Sequence, residues 1–83
     1  MDNSIRYLRE SLSNYTEESE ISSRIYEKIE ENDYVSEEEF IEDLDENEIA
    51  YLDKLLAKEI RYATQAKDEI RAKELTEIYQ LLF

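Results

Sequence analysis

The residues with the spacing to do chemistry begin with Asp43-Leu44-Asp45-Glu46-Asn47, which reproduces the first five positions of an EF-hand calcium loop. The match ends at the sixth position, Glu48, where the loop's sharp turn needs glycine. It fails again at the twelfth, Lys54, where calcium needs a bidentate carboxylate. A junction between two helices accounts for the same letters. Carboxylates abound elsewhere, but hydrolytic work requires two carboxyl groups in opposed environments, one of them desolvated. Glu37-Glu38-Glu39 reads instead as a solvated run. The chain holds no His and no Cys, which removes the commonest general base, the commonest zinc ligand and every thiolate or disulfide. Without any Gly, neither a nucleophile elbow nor a phosphate loop can be built around its Ser, Thr and Lys. We therefore expect a protein that is not an enzyme, with no catalytic residue, no cofactor and no metal.

One polar pair stands apart. Glu59 and Arg71 each fall in the middle of an apolar helical arc, and folding the chain back about residue 65 sets them level. A charge pair so placed either binds a ligand or partner, or fixes the register of two helices; the second reading is preferred. The seven Tyr also admit two readings. On stripe edges, Tyr7, Tyr26 and Tyr51 would bury their rings and keep their hydroxyls wet. Clustered in solvent they would form a contact surface. The edge-of-core placement is the expected one.

Charge is unevenly spread along the 83 residues, whose net value is −13. Residues 10–48 hold 16 acidic side chains against Arg24 and Lys28, a local charge of −14, whereas residues 49–83 hold 6 acids and 6 bases. The acidic block is a solvated face, a solubility device, or a surface offered to a basic protein partner. No apolar run nears the ~20 residues of a membrane span, and residues 1–14 show no signal-peptide core. A cytoplasmic, non-membrane protein is expected, either a monomer or a weak homodimer.

The elements that carry these residues are helices. Gly and Pro are both absent, which disfavours tight hairpins and leaves polar connections between helices. Ile5, Leu8, Leu12 and Tyr15 recur at helical spacing behind the cap candidates Asp2, Asn3 and Ser4, and Ser13-Asn14 weaken the end. Thr16 before Glu17-Glu18 marks the next start, with Ile21, Ile25 and Ile29 on one side and an acidic end over residues 30–33. Ser36 with Glu39 reads as a capping box, stapled by Val35 and Phe40; Asp45 with Glu48 repeats it, stapled by Leu44 and Ile49. The spacing predicts a short helix over 37–44, a long one over 46–65 and a last one over 67–82. The long helix carries two apolar stripes, Ile49, Leu52, Leu56, Ile60 and Ala63 beside Tyr51, Leu55 and Tyr62, wide enough to touch two neighbours. The last carries Ile70, Ala72, Leu75, Ile78, Tyr79, Leu81 and Leu82. The fold class expected is all-α: one domain over 1–83, a small antiparallel bundle of four to five helices. Its spine is a hairpin over about 46–82, with three shorter acidic helices over 4–45 packed against it.

The segments Tyr7-Leu8-Arg9-Glu10-Ser11-Leu12-Ser13-Asn14, Glu37-Glu38-Glu39-Phe40, Asp43-Leu44-Asp45 with Asn47-Glu48, Lys58-Glu59-Ile60 with Tyr62-Ala63, and Arg71-Ala72-Lys73-Glu74-Leu75 with Tyr79 carry a resemblance. Together they resemble the sigma-G-dependent, sporulation-specific acid-soluble spore proteins of Bacillus, a small acidic family distinct from the curli subunit that shares its name. The resemblance is weakest across residues 16–34. It implies production in the forespore and accumulation inside the spore, and brings no catalytic or ligand residue. The function expected is a non-enzymatic structural or protein-interaction module of the spore. The alternative is an acidic regulator that engages a basic surface of a nucleic-acid-binding protein or a polymerase subunit.

Direct binding to nucleic acid is not expected. Affinity for phosphates rests on Lys and Arg displacing condensed counterions. Here Lys54, Lys58, Arg61, Lys67 and Lys73 alternate along the chain with Asp53, Glu59, Asp68, Glu69 and Glu74, so no continuous basic stripe is expected. Fluorescence anisotropy of labelled duplex and single-stranded DNA at low salt should stay flat on titration. Micromolar binding that weakens with added salt would overturn the electrostatic argument.

Overall fold

The computed structural model describes residues 3–83. Five helices follow one another: α1 (Asn3–Ser13), α2 (Glu20–Glu31), α3 (Glu37–Glu42), α4 (Glu46–Gln65) and α5 (Glu69–Leu81). Of the cap candidates for α1, Asp2 lies outside the described residues. The hairpin of α4 and α5 is the most extensive packing in the molecule. Against it α1 packs on α2 and α5, α2 on α4, and α3 on α5. The radius of gyration is 11.7 Å, against about 11.8 Å for a compact chain of this length, so the acidic block does not swell the fold.

The core is built from the apolar stripes. Ile5, Leu8 and Leu12 of α1, Ile25 and Ile29 of α2, Phe40 of α3, Leu52, Leu55 and Leu56 of α4, and Leu75 and Ile78 of α5 form one buried cluster. Leu44 and Leu82 close its ends. Among the expected stripe residues, Ile70 and Tyr62, near the tip of the hairpin, are exposed, at 66% and 52%. Residues 64–70 around the turn are exposed throughout.

Helix ends follow local chemistry more closely than period. Asp45 and Glu48 make the full reciprocal box at the start of α4, and Leu44 beside them is buried. Ser36 accepts the Glu39 N–H at 3.2 Å, but the Glu39 carboxylate reaches the Val35 N–H at 3.3 Å, one residue beyond its expected target. The staple is displaced as well, because Val35 is 84% exposed and Tyr34 packs edge-on against Phe40 at 5.3 Å. The chain bends at Val35 and Ser36, with Tyr34 turned into the core and Val35 left outside. Tyr34 buries the larger apolar ring and finds a partner for its hydroxyl in Asp43 Oδ2 at 2.6 Å.

The start expected at Thr16 occurs at Glu20, capped by Ser19, whose hydroxyl accepts the Ser22 N–H at 3.2 Å. Thr16 donates its hydroxyl back to the Ser13 carbonyl, and Tyr15 O accepts from both Glu18 and Ser19, so residues 14–18 wind into turns. The short helix ends at Glu42 rather than 44, since Leu44 is drawn into the core and Asp45 must be extended to cap α4. Between α4 and α5 a helix stop and a helix start occupy consecutive residues. Asp68 N–H bonds Ala63 O at 2.9 Å and Lys67 N–H bonds Thr64 O at 3.1 Å, the paired bonds of a Schellman motif. Lys67 takes its left-handed position, with φ 60°. Asp68 then caps α5 by accepting the Arg71 N–H at 3.2 Å, so α5 begins two residues later than its period suggests.

In a chain without glycine, Lys67 bears a left-handed cost of about 1–2 kcal/mol. Lys67→Gly should stabilise the fold by about 0.5–1 kcal/mol, because that relief exceeds the added unfolded-state entropy, about 0.4–1 kcal/mol. The midpoint of urea unfolding should rise. A midpoint that falls would show that the lysine side chain itself holds the turn.

Candidate functional site

Two buried carboxylates organise the ionic side chains, and both belong to α4. Glu48 is 1% exposed. Its Oε1 accepts the Asp45 N–H at 2.9 Å and the Lys28 ammonium at 2.7 Å. Lys28 also donates to the Asp43 carbonyl at 2.7 Å, which closes the junction before α4 onto α2. One turn earlier on α2, Arg24 donates Nη2 to Asp45 Oδ2 at 3.1 Å. Its Nε lies 3.5 Å from Glu48 Oε2, an oxygen with no hydrogen bond among the described residues. Spacing of four residues sets both cations on one face of α2. A carboxylate removed from water costs several kcal/mol unless it is paired and hydrogen-bonded, and these partners supply both.

The second carboxylate is Glu59, and the expected pair with Arg71 is formed, Nη2 to Oε1 at 3.6 Å. Arg71 does more than fix hairpin register. It donates to Ser11 Oγ at 2.6 Å and approaches Glu10 Oε2 at 3.8 Å, while Tyr15 donates to Glu59 Oε2 at 3.3 Å. The pair is a node joining α1, α4 and α5. Small buried serines let the helices approach it: Ser11 is the Arg71 acceptor, and Ser22 donates to the Leu12 carbonyl at 3.2 Å.

The calcium-like letters diverge in space. Asp43 accepts from Tyr34, Asp45 caps α4, and Glu46 faces solvent. Among the described residues no group of three or more His, Cys, Asp or Glu is arranged to hold a metal ion. Tyr7, Tyr26 and Tyr51 are half-buried at the edge of the core, as their positions on the stripes implied. Tyr34 is buried outright; that burial, and then Asp43, raise its hydroxyl pKa.

What remains is surface. With Arg24 and Lys28 turned onto α4, and Arg9 donating to Glu30 at 2.6 Å, Glu17, Glu18, Glu20, Glu27, Glu31, Asp33, Glu38, Glu39, Glu42 and Glu46 stand exposed. An open groove of about 420 Å³ flanks α3, lined by Asn32, Asp33, Tyr34, Glu39, Glu42 and Asp43. Another, of about 450 Å³, runs between α1 and the end of α2, where the Arg9–Glu30 pair lies in its wall.

The cations of α4 are arranged otherwise than their alternation in sequence implied. Glu59 is buried, and Asp53 lies on the side of Tyr79, whose hydroxyl pKa it raises. At about 100° per residue, Lys54, Lys58 and Arg61 share an acid-free arc with Tyr51 and Tyr62. Lys58 lies 4.4 Å over the Tyr15 ring. The stripe is three cations long, beside a face that carries far more negative charge.

Fold and surface together define a small, all-helical, strongly acidic protein whose inward-facing charges are structural. A family model described as "Minor curli fiber component A" matches residues 1–83. The chain is 51% identical over 82 residues to the sigma-G-dependent sporulation-specific SASP protein of Bacillus subtilis (strain 168), covering 99% of each chain. It belongs to this family of sporulation-specific proteins. No solved structure matches the chain.

Because Glu48 is buried, its two cations should differ in worth. Lys28→Ala removes the shorter of the two ionic contacts to Glu48 and should cost about 2–3 kcal/mol, below the ~3–5 kcal/mol of a fully buried pair because the lysine is part-exposed. Arg24→Ala, half exposed and 3.5 Å away, should cost under about 1 kcal/mol. Urea unfolding of the two variants checks the order. Equal losses would mean that the buried carboxylate is held by the field of both rather than by Lys28.

Proposed function

We propose that this sporulation protein works without catalysis, inside the spore, by binding another protein through its acidic surface. The observation that carries the reading is the inward commitment of Arg24 and Lys28. The two cations of residues 10–48 are spent on Glu48, Asp45 and Asp43, so their neutralisation is internal and the outer acids are left to a partner. The carboxylates that burial singles out, Glu48 and Glu59, are held by cations and hydrogen bonds, which fits a structural duty for both. No helix among the described residues is long and apolar enough to cross a membrane. Nucleic acid is not the partner in this reading, since three cations on α4 face a phosphate backbone that the acidic side repels.

The regulator reading uses the same surface and differs only in whose basic face it covers. Affinity capture from sporulating cells with the tagged full chain tests both. A partner recovered in stoichiometric amount, released by salt and carrying a basic surface, is the expected result. If that partner is a nucleic-acid-binding protein or a polymerase subunit, the regulator reading holds. Retention of no salt-sensitive protein would overturn the binding function.

A further inference from the structure

The geometry points to a docking groove between α3 and the C-terminal end of α5 that receives a basic amphipathic helix of a partner protein. This inference rests on the acidic surface being the binding face, and assigns that face an anchor. Ile41 and Leu81, both half-buried, floor an indentation of about 200 Å³ whose rim is Glu38 and Glu42. Its volume is below the ~300–1,000 Å³ of small-molecule sites, but it suits an aliphatic side chain presented from outside. Apolar floor and charged rim are the anatomy of a protein contact.

The rim is available for pairing. Glu38 and Glu42 are exposed, and no ion pair reaches either among the described residues. They stand one helical turn apart, so their carboxylates match cations spaced by four on a second helix. Glu42 also borders the larger polar groove on the other flank of α3, where Asp43 is taken by Tyr34 and Glu39 by the Val35 N–H. Asp33 is exposed there, with no ion pair among the described residues. A helix crossing α3 can therefore set one aliphatic residue against Ile41 and Leu81 and carry its cations over Glu38, Glu42 and Asp33. Charge complementarity selects the occupant. The surrounding block is −14 and its own two cations are committed elsewhere, so a cationic helix is attracted. A second copy of this chain, at −13, is repelled.

The test uses the full chain and two synthetic, fluorescently labelled peptides of equal charge. One places Leu on one helical face with Lys at spacings of four; the other replaces each Leu with Ser. The Leu-Lys peptide should bind at least tenfold more tightly. Ile41→Ser should remove that preference. The double variant Glu38→Gln/Glu42→Gln, which leaves the core untouched, should weaken Leu-Lys binding about tenfold with an unchanged circular dichroism spectrum. Equal binding of the two peptides, unaffected by these variants, would overturn the groove while leaving the acidic-surface reading intact. Binding of neither peptide would overturn both. Sedimentation of the chain alone as a dimer that Glu38→Gln/Glu42→Gln dissolves would assign the groove to a second copy, and also overturn the proposal.

Discussion

The burial of Glu48 is the constraint on which the arrangement of the chain depends. Its side chain completes the cap of α4 through the Asp45 N–H, and the same oxygen accepts the Lys28 ammonium from α2. A carboxylate placed there cannot be left unpaired. The position of α2 is thus coupled to the first turn of α4, and the link 43–45 is pulled in by the Lys28 bond to the Asp43 carbonyl. Tyr34, on the approach to α3, accepts the same logic by donating its buried hydroxyl to the Asp43 carboxylate.

At the other end of α4, Glu59 repeats the device with Arg71. Helix α1 joins through Ser11, and the turn after it through Tyr15, so this pair ties three helices together. Leucine and isoleucine stripes are non-directional, whereas an ion pair with two or three hydrogen-bonding neighbours has one register. The apolar core is non-directional; the two buried carboxylates add contacts with a defined direction.

The same arrangement separates inner from outer charge. Cations that could have neutralised the acidic middle in solution are consumed in holding it together, and its net charge is projected outward. Around α3 that charge borders the apolar floor of Ile41 and Leu81, which distinguishes this stretch of surface from the rest of the acidic face. The outer face of this sporulation protein is strongly acidic, and its two buried carboxylates are paired with cations.

By itself the sequence determined the helical class, the long hairpin, the reciprocal cap of Asp45 and Glu48, and the pairing of Glu59 with Arg71. Period, caps and a charge in mid-stripe are local signals, and each carries its cause within one or two helical turns. The tertiary structure decided the rest. Whether Tyr34 or Val35 faces inward depends on which can find both a ring and an acceptor across space. Thr16 yields to Ser19 because residues 14–18 wind into turns closed on the Tyr15 carbonyl before α2 begins. Lys67 becomes left-handed because α5 must turn back on α4 in a chain with no glycine to do it. In sequence Lys28 and Arg24 are two bases in an acidic run; only the approach of α2 to α4 makes them the partners of a buried carboxylate. The excess negative charge around α3 was legible in the sequence, but the apolar floor beside it was not. Ile41 and Leu81 stand 40 residues apart, and they meet only when α3 lies against α5.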